Sequence, residues 1–288
     1  MAKWLKAPVM ALYHGVGEPL IALRRRRARL AAFVAGEQAP PVVLVDVQGA
    51  SGPVEGGARD IVGRYVEPVG GAGPLARRLR LTPMAVDLAR FEDMAAFERA
   101  LRKRSSRTLP KVRKALKAGY AFHRFPLRRH VYDIHRVKTS TPVRAAGPVL
   151  DYWFLAPEDI APPAMRPIRL KAPENPERWS LWFGVFVAEP GHMQGAVTVD
   201  ERLVAYMKLT RVGELAHYTD LMGHADHLEA GVMWLLHVEI MRWLIESGDP
   251  LAAGVRVVLY GAAEHGGEGL LTWKKRAGFE PVRLVRAR

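Results

Sequence analysis

The sequence has no cysteine among its 288 residues. This absence excludes disulfides, thiolate zinc sites, iron–sulfur clusters and a cysteine nucleophile, and it suits a reducing, cytoplasmic compartment. The sequence also has no run of 18 apolar residues, so a membrane-spanning helix is not expected. The apolar stretch near the N-terminus is short, is broken by Pro8 and His14, and precedes no clean cleavage site, so we expect no signal peptide.

Several catalytic signatures are missing as well. No GxGxxG follows a predicted strand, and neither GxSxG, GxxxxGK[ST], HExxH nor a kinase signature occurs. These absences disfavour dinucleotide oxidoreductases, serine hydrolases and P-loop NTPases. With 49% hydrophobic residues, the chain is nevertheless expected to be globular and to bury a sizeable core.

Positive charge is in excess and unevenly distributed. The chain carries 43 basic and 29 acidic residues, a formal net charge of +14. Residues 99–129 hold 12 bases and no acid, whereas residues 200–249 hold nine acids and four bases. This uneven distribution of charge favours a polyanionic partner such as tRNA or DNA. A compositional bias toward arginine or a solvated face would give the same pattern. The candidate polyanion-binding residues are Lys111, Arg113, Lys114 and Lys117.

Hydrophobic periodicity predicts an α+β fold. Helices are expected from Asp87, at 108–118 with Thr108 as N-cap and Gly119 as left-handed terminator, at 129–139, at 231–246 and at 268–277. Strands are expected at 42–47, as a short buried strand, and at 179–187, 195–199, 203–209, 215–221, 255–260 and 281–285. The order predicts an antiparallel meander covered by helices, in a domain over residues 108–288. Residues 1–107 are expected to form an N-terminal segment or a reduced first lobe.

The segment from His217 to Glu229 contains three histidines and three carboxylates in thirteen residues. It lies between a predicted strand and the helix at 231–246. A metal site, a polar loop and an acid/base site are all compatible with this composition, and the lack of HExxH spacing argues against metal. For a base that accepts a proton from an amine, the candidates are Asp226 and Glu229, with His224 and His227 as alternates.

A glycine-rich turn spans residues 261–269 and precedes the last predicted helix. Backbone N–H groups at a helix N-terminus can bind an anion, but Glu264 and Glu268 disfavour a phosphate there. A flexible turn explains the glycines equally well.

Two stretches together resemble a known family. Gly269–Pro281, with the sequence GLLTWKKRAGFEP, is similar to the last helix and strand of the GNAT acyltransferase superfamily, and its Trp-Lys-Lys arrangement is closer to the Fem-type branch. Arg113–Tyr120, Asp133-Ile134, Ser140 and Arg144 resemble the opening of such a domain. The resemblance implies a GNAT-like, mostly antiparallel sheet flanked by helices and the transfer of an acyl or aminoacyl group to an amine acceptor. The candidate substrate-binding residues are Ser140, Arg144, Tyr260, Trp273 and Lys274, although Trp273 could instead pack in the core with Lys274 facing solvent.

The resemblance breaks down at one position that bears on the acyl donor. GNAT enzymes that use acyl-CoA hold its pyrophosphate on a glycine-containing turn, and the matching residues here, 224–231, are acidic and lack the glycine pair. Acyl-CoA is therefore disfavoured, and aminoacyl-tRNA, the donor of Fem-type enzymes, suits the basic stretch better. The alternatives are a nucleic-acid-dependent or nucleic-acid-modifying transferase of the same fold, and a non-catalytic GNAT-like binding protein.

Overall fold

The computed structural model describes residues 40–47, 56–68, 81–141 and 156–287, together with a few isolated positions outside these ranges. In chain order the strands are β1 (Val42–Val45), β2 (Val66–Glu67), β3 (Pro83–Asp87), β4 (Ala121–Phe125), β5 (Val143–Arg144), β6 (Gly147–Pro148), β7 (Arg178–Ala188), β8 (Met193–Gln194), β9 (Val197–Thr198), β10 (Glu201–Val212), β11 (Leu215–Gly223), β12 (Val257–Ala262), β13 (Glu280–Pro281) and β14 (Arg283–Arg286). The helices are α1 (Gly56–Tyr65), α2 (Met94–Arg104), α3 (Thr108–Lys117), α4 (Val131–Thr139), α5 (Pro157–Ile160), α6 (Val232–Glu246) and α7 (Glu268–Arg276).

The main sheet has seven strands in the order β13-β3-β12-β11-β10-β7-β4. Every neighbouring pair in it is antiparallel except β11 and β12, which run parallel. A second sheet pairs β1 and β2 in parallel with β14. The predicted α+β class, with a mostly antiparallel sheet flanked by helices, is confirmed by this strand order.

Side chains from the two faces of the sheet enter separate hydrophobic clusters, because successive residues of a strand point to opposite faces. Val185 and Met207 belong to the cluster shared with α2, α3 and α6. Phe186 and Tyr206, one residue away along each strand, belong to the cluster shared with α4. The helix predicted for 231–246 is confirmed as α6, and its buried residues include Val232, Leu235, Leu236, Ile240 and Leu244.

Strand β3 precedes the expected domain boundary at residue 107 but lies inside the main sheet, between β13 and β12. Strand β1 likewise pairs with β14 near the C-terminus. Segments from both sides of residue 107 therefore share sheets, and the division at 107 stays a prediction.

Three local expectations need correction. The helix expected from Asp87 begins at Met94, because Asp93 caps it by accepting a hydrogen bond from the Ala96 N–H at 2.6 Å. Thr108 is the first residue of α3 rather than its N-cap, whereas Gly119 has the expected left-handed conformation (φ 84°). Strand β1 is buried on one face only, with Val43 and Val45 inward and Val42 and Leu44 exposed. None of the helices in the described ranges combines the length and the apolar character that crossing a membrane requires.

Gly231 has no tolerated substitute in this backbone. Its φ is 90°, and a Cβ would lie 2.9 Å from the carbonyl oxygen of Lys111. We expect Gly231→Ala to lower the free energy of unfolding by about 1–3 kcal/mol, measured by urea denaturation. Gly269→Ala is the control, because a Cβ there meets nothing within 4 Å and alanine favours the helix, so stability should be unchanged or slightly higher. Equal stability of the two variants would contradict the assignment.

Candidate active site

The parallel strands β11 and β12 separate after a short paired stretch. Their paired residues are Leu215–Val257, Ala216–Val258 and His217–Leu259. Beyond these pairs β11 continues alongside β10, and β12 continues alongside β3. Tyr218 and Tyr260 are the next residues of each strand, and their ring centroids are 5.7 Å apart. An opening between the two strands therefore begins at these two tyrosines.

Aromatic side chains line the α6 and α7 side of this opening. Trp273 of α7 stacks on Trp234 of α6 with ring centroids 5.0 Å apart, and it meets the Tyr260 ring edge-on at 5.7 Å. Trp273 is half-buried. Burial raises the pKa of Tyr260 above its ordinary value, so its hydroxyl is neutral at physiological pH.

Lys274 is buried beside these rings, with only 1% of its surface exposed. Its Nζ donates a hydrogen bond to the carbonyl oxygen of Ala262, the last residue of β12, at 2.8 Å, and lies 4.7 Å from the centre of the Tyr260 ring. The alternative in which Lys274 faces solvent is therefore wrong. Burying an ammonium group costs free energy unless specific contacts replace the lost water. For Lys274 these contacts are the Ala262 carbonyl oxygen and the Tyr260 ring.

Three neighbouring polar groups at the opening are held neutral. The Nε2–H of His237 donates to the carbonyl oxygen of Ala277 at 2.8 Å, so its Nδ1 accepts the hydrogen bond from the Tyr218 hydroxyl at 3.0 Å. Burial lowers the pKa of His237 to about 4 and raises that of Tyr218 well above its ordinary value. Burial, followed by the charges of Arg64, His265 and Lys274, lowers the pKa of His217 to about 3. None of these three groups changes its charge near neutral pH.

The predicted acid/base residues lie on a 3₁₀ turn, residues 225–230, between β11 and α6. The Asp226 side chain is 83% exposed and Glu229 is also exposed. His227 is half-buried, and its Nδ1 is 2.8 Å from the Tyr120 hydroxyl. Burial, then the neighbouring His224 and Arg202, lower the pKa of His227. Of the four candidates, His227 is therefore the one that is both oriented by a neighbour and held neutral near pH 7.

Backbone N–H groups of this turn donate hydrogen bonds to acceptors within the chain. The Ala225 N–H donates to Ser140 Oγ at 3.0 Å, and the Ser140 hydroxyl donates to the Val137 carbonyl oxygen at 2.8 Å. The N–H groups of residues 224, 226, 227 and 231 likewise have acceptors within the chain. Ser140 thus holds the turn against α4. The side chain of Arg144, the other candidate from this region, lies outside the described part of the chain.

The predicted polyanion-binding residues border the same turn. Lys111, Arg113, Lys114 and Lys117 are all exposed on α3, which packs against the turn through Lys111 and Gly231. Within the described ranges, none of these four bases forms an ion pair. Other bases of the 99–129 run have acidic partners, as in Arg102–Glu98 and Arg124–Asp249. The bases of the 99–129 run that have no acidic partner in the described ranges therefore include the four on the face of α3 beside the turn.

A polar cluster that the sequence did not single out lies on the other face of the sheet. Asp220 of β11 accepts hydrogen bonds from the Tyr206 hydroxyl at 3.1 Å and from Lys138 Nζ of α4 at 3.2 Å. The Asp220 side chain is 40% exposed, so the cluster is open to a ligand. In the sequence Asp220 is one acid of the His217–Glu229 segment. The signal that would have separated it is its place inside a strand, where it pairs with Lys208 and lies diagonally across from Tyr206 of the neighbouring strand.

Histidines and carboxylates also form a buried network that ties α4 to the sheet. His130 lies between two carboxylates, with its Nδ1 3.3 Å from Asp133 and its Nε2 3.4 Å from Glu201. His192 contacts Asp133 at 3.0 Å, and His123 contacts Glu201 at 2.8 Å. Across the described residues, no group of three or more histidine, aspartate and glutamate side chains has the geometry to hold a metal ion. The network positions α4, which carries Lys138 and Ser140 to the site.

Comparison with known proteins gives similarity at the level of structure only. No protein-family model matches the chain, and no curated protein matches it. FemX is similar with a TM-score of 0.47 and 12% identity, over 70% of this chain and 59% of the FemX chain. A tandem GNAT protein from the clavulanic acid biosynthesis pathway is similar with a TM-score of 0.36 and 13% identity, over 83% of this chain and 59% of that one. A GCN5-related N-acetyltransferase from Kribbella flavida has a TM-score of 0.34 and 12% identity, over 70% of this chain and 54% of that one. The chain thus spans less than two thirds of the length of each of these proteins.

Glu201 gives the histidine network a defined pH dependence. Burial disfavours its charge, but the hydrogen bonds of His123 and His130 outweigh burial and lower its pKa from 4.5 to about 2. Because the folded state favours the ionised form, the stabilisation is fully present above about pH 4.5 and is lost as the pH falls toward 2. We expect Glu201→Gln to lower the free energy of unfolding by about 1.5–3 kcal/mol at pH 7 and by much less at pH 3.

Urea denaturation of both proteins at pH 7, 5 and 3 measures this difference. Glu174→Gln, a change at an exposed glutamate, should have no effect at any pH. An effect of Glu201→Gln that stays the same from pH 7 to pH 3 would show that its carboxylate charge contributes nothing.

Proposed function

We propose that the protein is an N-acyltransferase of the GNAT/Fem type, which moves an acyl or aminoacyl group onto an amine by direct attack. The observation that carries the proposal is the buried Lys274 ammonium at the opening between β11 and β12. Acyl transfer requires a stabilised oxyanion and two reactants held in contact, and it requires no nucleophilic side chain of the enzyme.

In the proposed reaction the donor carbonyl lies in the opening, next to Lys274. The neutral amine nitrogen forms a bond to the carbonyl carbon, and the carbonyl oxygen takes the negative charge, which the Nζ of Lys274 stabilises. The bond from the carbon to the donor oxygen then breaks as the carbonyl re-forms, and the leaving oxygen takes up the proton that the attacking nitrogen releases. Trp273 and Tyr260 supply flat apolar walls that exclude water and orient the donor.

The attacking amine must first lose its ammonium proton. The proposed acceptors are Asp226, Glu229, His224 and His227, of which His227 is favoured because its lowered pKa keeps it neutral and Tyr120 fixes its ring. The Asp220 cluster lies on the opposite face, where it can hold a cationic acceptor through its carboxylate. Ser140 acts through the turn that it holds, and Arg144 is retained as a substrate-binding candidate.

Aminoacyl-tRNA is the proposed donor class. A pyrophosphate beside the turn that precedes α6 needs backbone N–H groups, and those of residues 224–227 and 231 are already bonded within the chain. The exposed bases of α3 lie beside the same turn and can neutralise a nucleic-acid backbone. Both observations favour tRNA over CoA as the carrier of the acyl group.

Lys274 is expected to act on the transfer step. We expect Lys274→Met to fold and to lower kcat by about 10²–10³-fold, because an oxyanion-stabilising group is lost. Lys275→Met is the matched control, since Lys275 is exposed on the same helix and should keep its rate. The measurement is loss of radiolabelled amino acid from charged tRNA with a pool of amines, with folding checked by thermal melting. Full activity of a folded Lys274→Met protein would contradict the proposed role.

The exposed face of α3 is expected to bind RNA. Changing Lys111, Lys114 and Lys117 together to Glu should weaken tRNA binding by about 10²-fold or more and flatten its dependence on salt, because fewer counterions are released. The control changes Arg166, Arg169 and Lys171 to Glu, which alters the net charge equally on another exposed segment. Fluorescence anisotropy at several salt concentrations measures both. If the two triple variants bind tRNA alike, only the overall charge matters and the α3 face is not the site.

A further inference from the structure

A basic groove lies on the flank of α2, separate from the opening between β11 and β12. Its volume is about 520 Å³, and its lining residues are Arg90, Phe91, Ala96, Arg99, Ala100, Lys103 and Arg104. We call it the α2 groove. None of its lining residues belongs to the proposed transfer site, so a ligand bound in the α2 groove is independent of the proposed function.

Four of the seven lining side chains are cationic, and their charge is only partly compensated. Glu280 contacts two of them, Arg90 at 2.5 Å and Arg104 through its other carboxylate oxygen. Within the described ranges Arg99 and Lys103 form no ion pair, and both side chains are exposed. A net positive charge therefore remains in the groove, which suits a ligand with more than one negative charge.

Glu280 also sets the position of the two guanidinium groups. Burial disfavours its charge, but hydrogen bonds from Arg104 and Arg90 outweigh burial and lower the pKa of Glu280. The carboxylate is therefore ionised at neutral pH and holds one N–H group of each arginine. Each guanidinium has five N–H donors, so the arginines can bind an anion while Glu280 fixes their direction.

The lining between the cationic side chains is apolar. Ala96 and Ala100, one turn apart on α2, leave room between the cationic side chains. The Phe91 ring meets Phe97 edge-on at 5.2 Å, an arrangement that leaves the half-buried Phe91 ring available along the groove wall. A phosphate group alone gains no binding free energy from an apolar surface, whereas a planar base stacks on an aromatic ring.

A second cavity continues from the first. Its volume is about 370 Å³, and it shares Arg90, Phe91 and Arg104 with the α2 groove. Its further walls are mostly apolar, with Val42, Val86 and Val282 among them, and they also include the carboxylates of Asp87 and Glu280. The two cavities together offer a cationic end and a mostly apolar end joined at Phe91. That combination matches a molecule whose phosphates are attached to a planar, largely apolar group.

The geometry points to the α2 groove as a binding site for the phosphate groups of a nucleotide, whose base lies against Phe91. Arg99 and Lys103 supply the uncompensated charge, and Arg90 and Arg104 supply oriented N–H donors. The same chemistry is presented by a free nucleotide and by a nucleotide within an RNA strand.

ADP, pyrophosphate and a single-stranded hexanucleotide RNA are the probes, titrated into the full chain by calorimetry. We expect Arg99→Gln with Lys103→Gln to weaken the binding of ADP, or of the RNA, by about tenfold to a hundredfold, because two charge-assisted contacts are lost. Arg166→Gln with Lys171→Gln is the matched control, because these exposed side chains lie outside the groove lining and the net charge changes equally. Binding of ADP identifies a free nucleotide as the ligand, and binding of the RNA without ADP identifies a strand.

A Phe91→Leu variant tests whether Phe91 contacts the base of the ligand rather than its phosphate groups. It should weaken ADP, or the RNA if only the RNA binds, and leave pyrophosphate unchanged. The nucleotide assignment is overturned if Phe91→Leu affects neither nucleotide probe, or affects pyrophosphate equally. The site itself is overturned if neither ADP nor RNA binds, or if the groove variant and its control behave alike. Thermal melting of every variant shows whether a loss of binding reflects unfolding.

Discussion

The arrangement of the molecule depends on how few residues of β11 and β12 pair in parallel. Three pairs are enough to join the β4–β7–β10–β11 part of the sheet to the β12–β3–β13 part. Had the pairing continued, the backbone hydrogen bonds would close the sheet at Tyr218 and Tyr260. Because it stops, two strand ends separate inside a continuous sheet, and the side chains around them can approach a ligand from both faces. Lys274, the aromatic rings, the 225–230 turn and the Asp220 cluster are all placed by this separation.

Burial then decides which polar groups near the opening can be charged. His237, His217 and Tyr218 are deeply buried and held neutral, so they act as fixed parts of the wall. Lys274 is equally buried and is paired with a backbone carbonyl at the strand end. The side chains that can exchange protons with water lie farther out, on the turn and in the Asp220 cluster. This separation suits the proposed acyl transfer, in which the reactants are held in place while one group accepts a proton.

The sequence was most informative where a periodic pattern is long. Helix α6 and the strands β7, β10 and β11 were predicted because their apolar residues recur over long stretches of the sequence. The turn that carries the loop candidates was predicted between a strand and a helix. The sequence could not tell that Asp226 points to solvent while His227 is held by Tyr120, since that contact joins residues 107 positions apart. Lys274 was identified through the resemblance, not through periodicity, because a lysine in a helix ordinarily faces water. Asp220 and the histidine network were not found, because contacts such as Lys138–Asp220 and His123–Glu201 depend on strand pairing and leave no local spacing in the chain.

The ends of the seven-stranded sheet also bear on how the protein behaves at high concentration. An edge strand offers unpaired backbone groups to another molecule, which promotes association from sheet to sheet. Strand β13 limits this at one edge, because it is only two residues long and contains Pro281, which has no N–H to donate. At the other edge, β4 carries His123 and Arg124, whose side chains are tied to Glu201 and Asp249. A strand from a second molecule would meet a short proline-containing segment at one side and charged side chains at the other, so the sheet is protected against growing beyond its own chain.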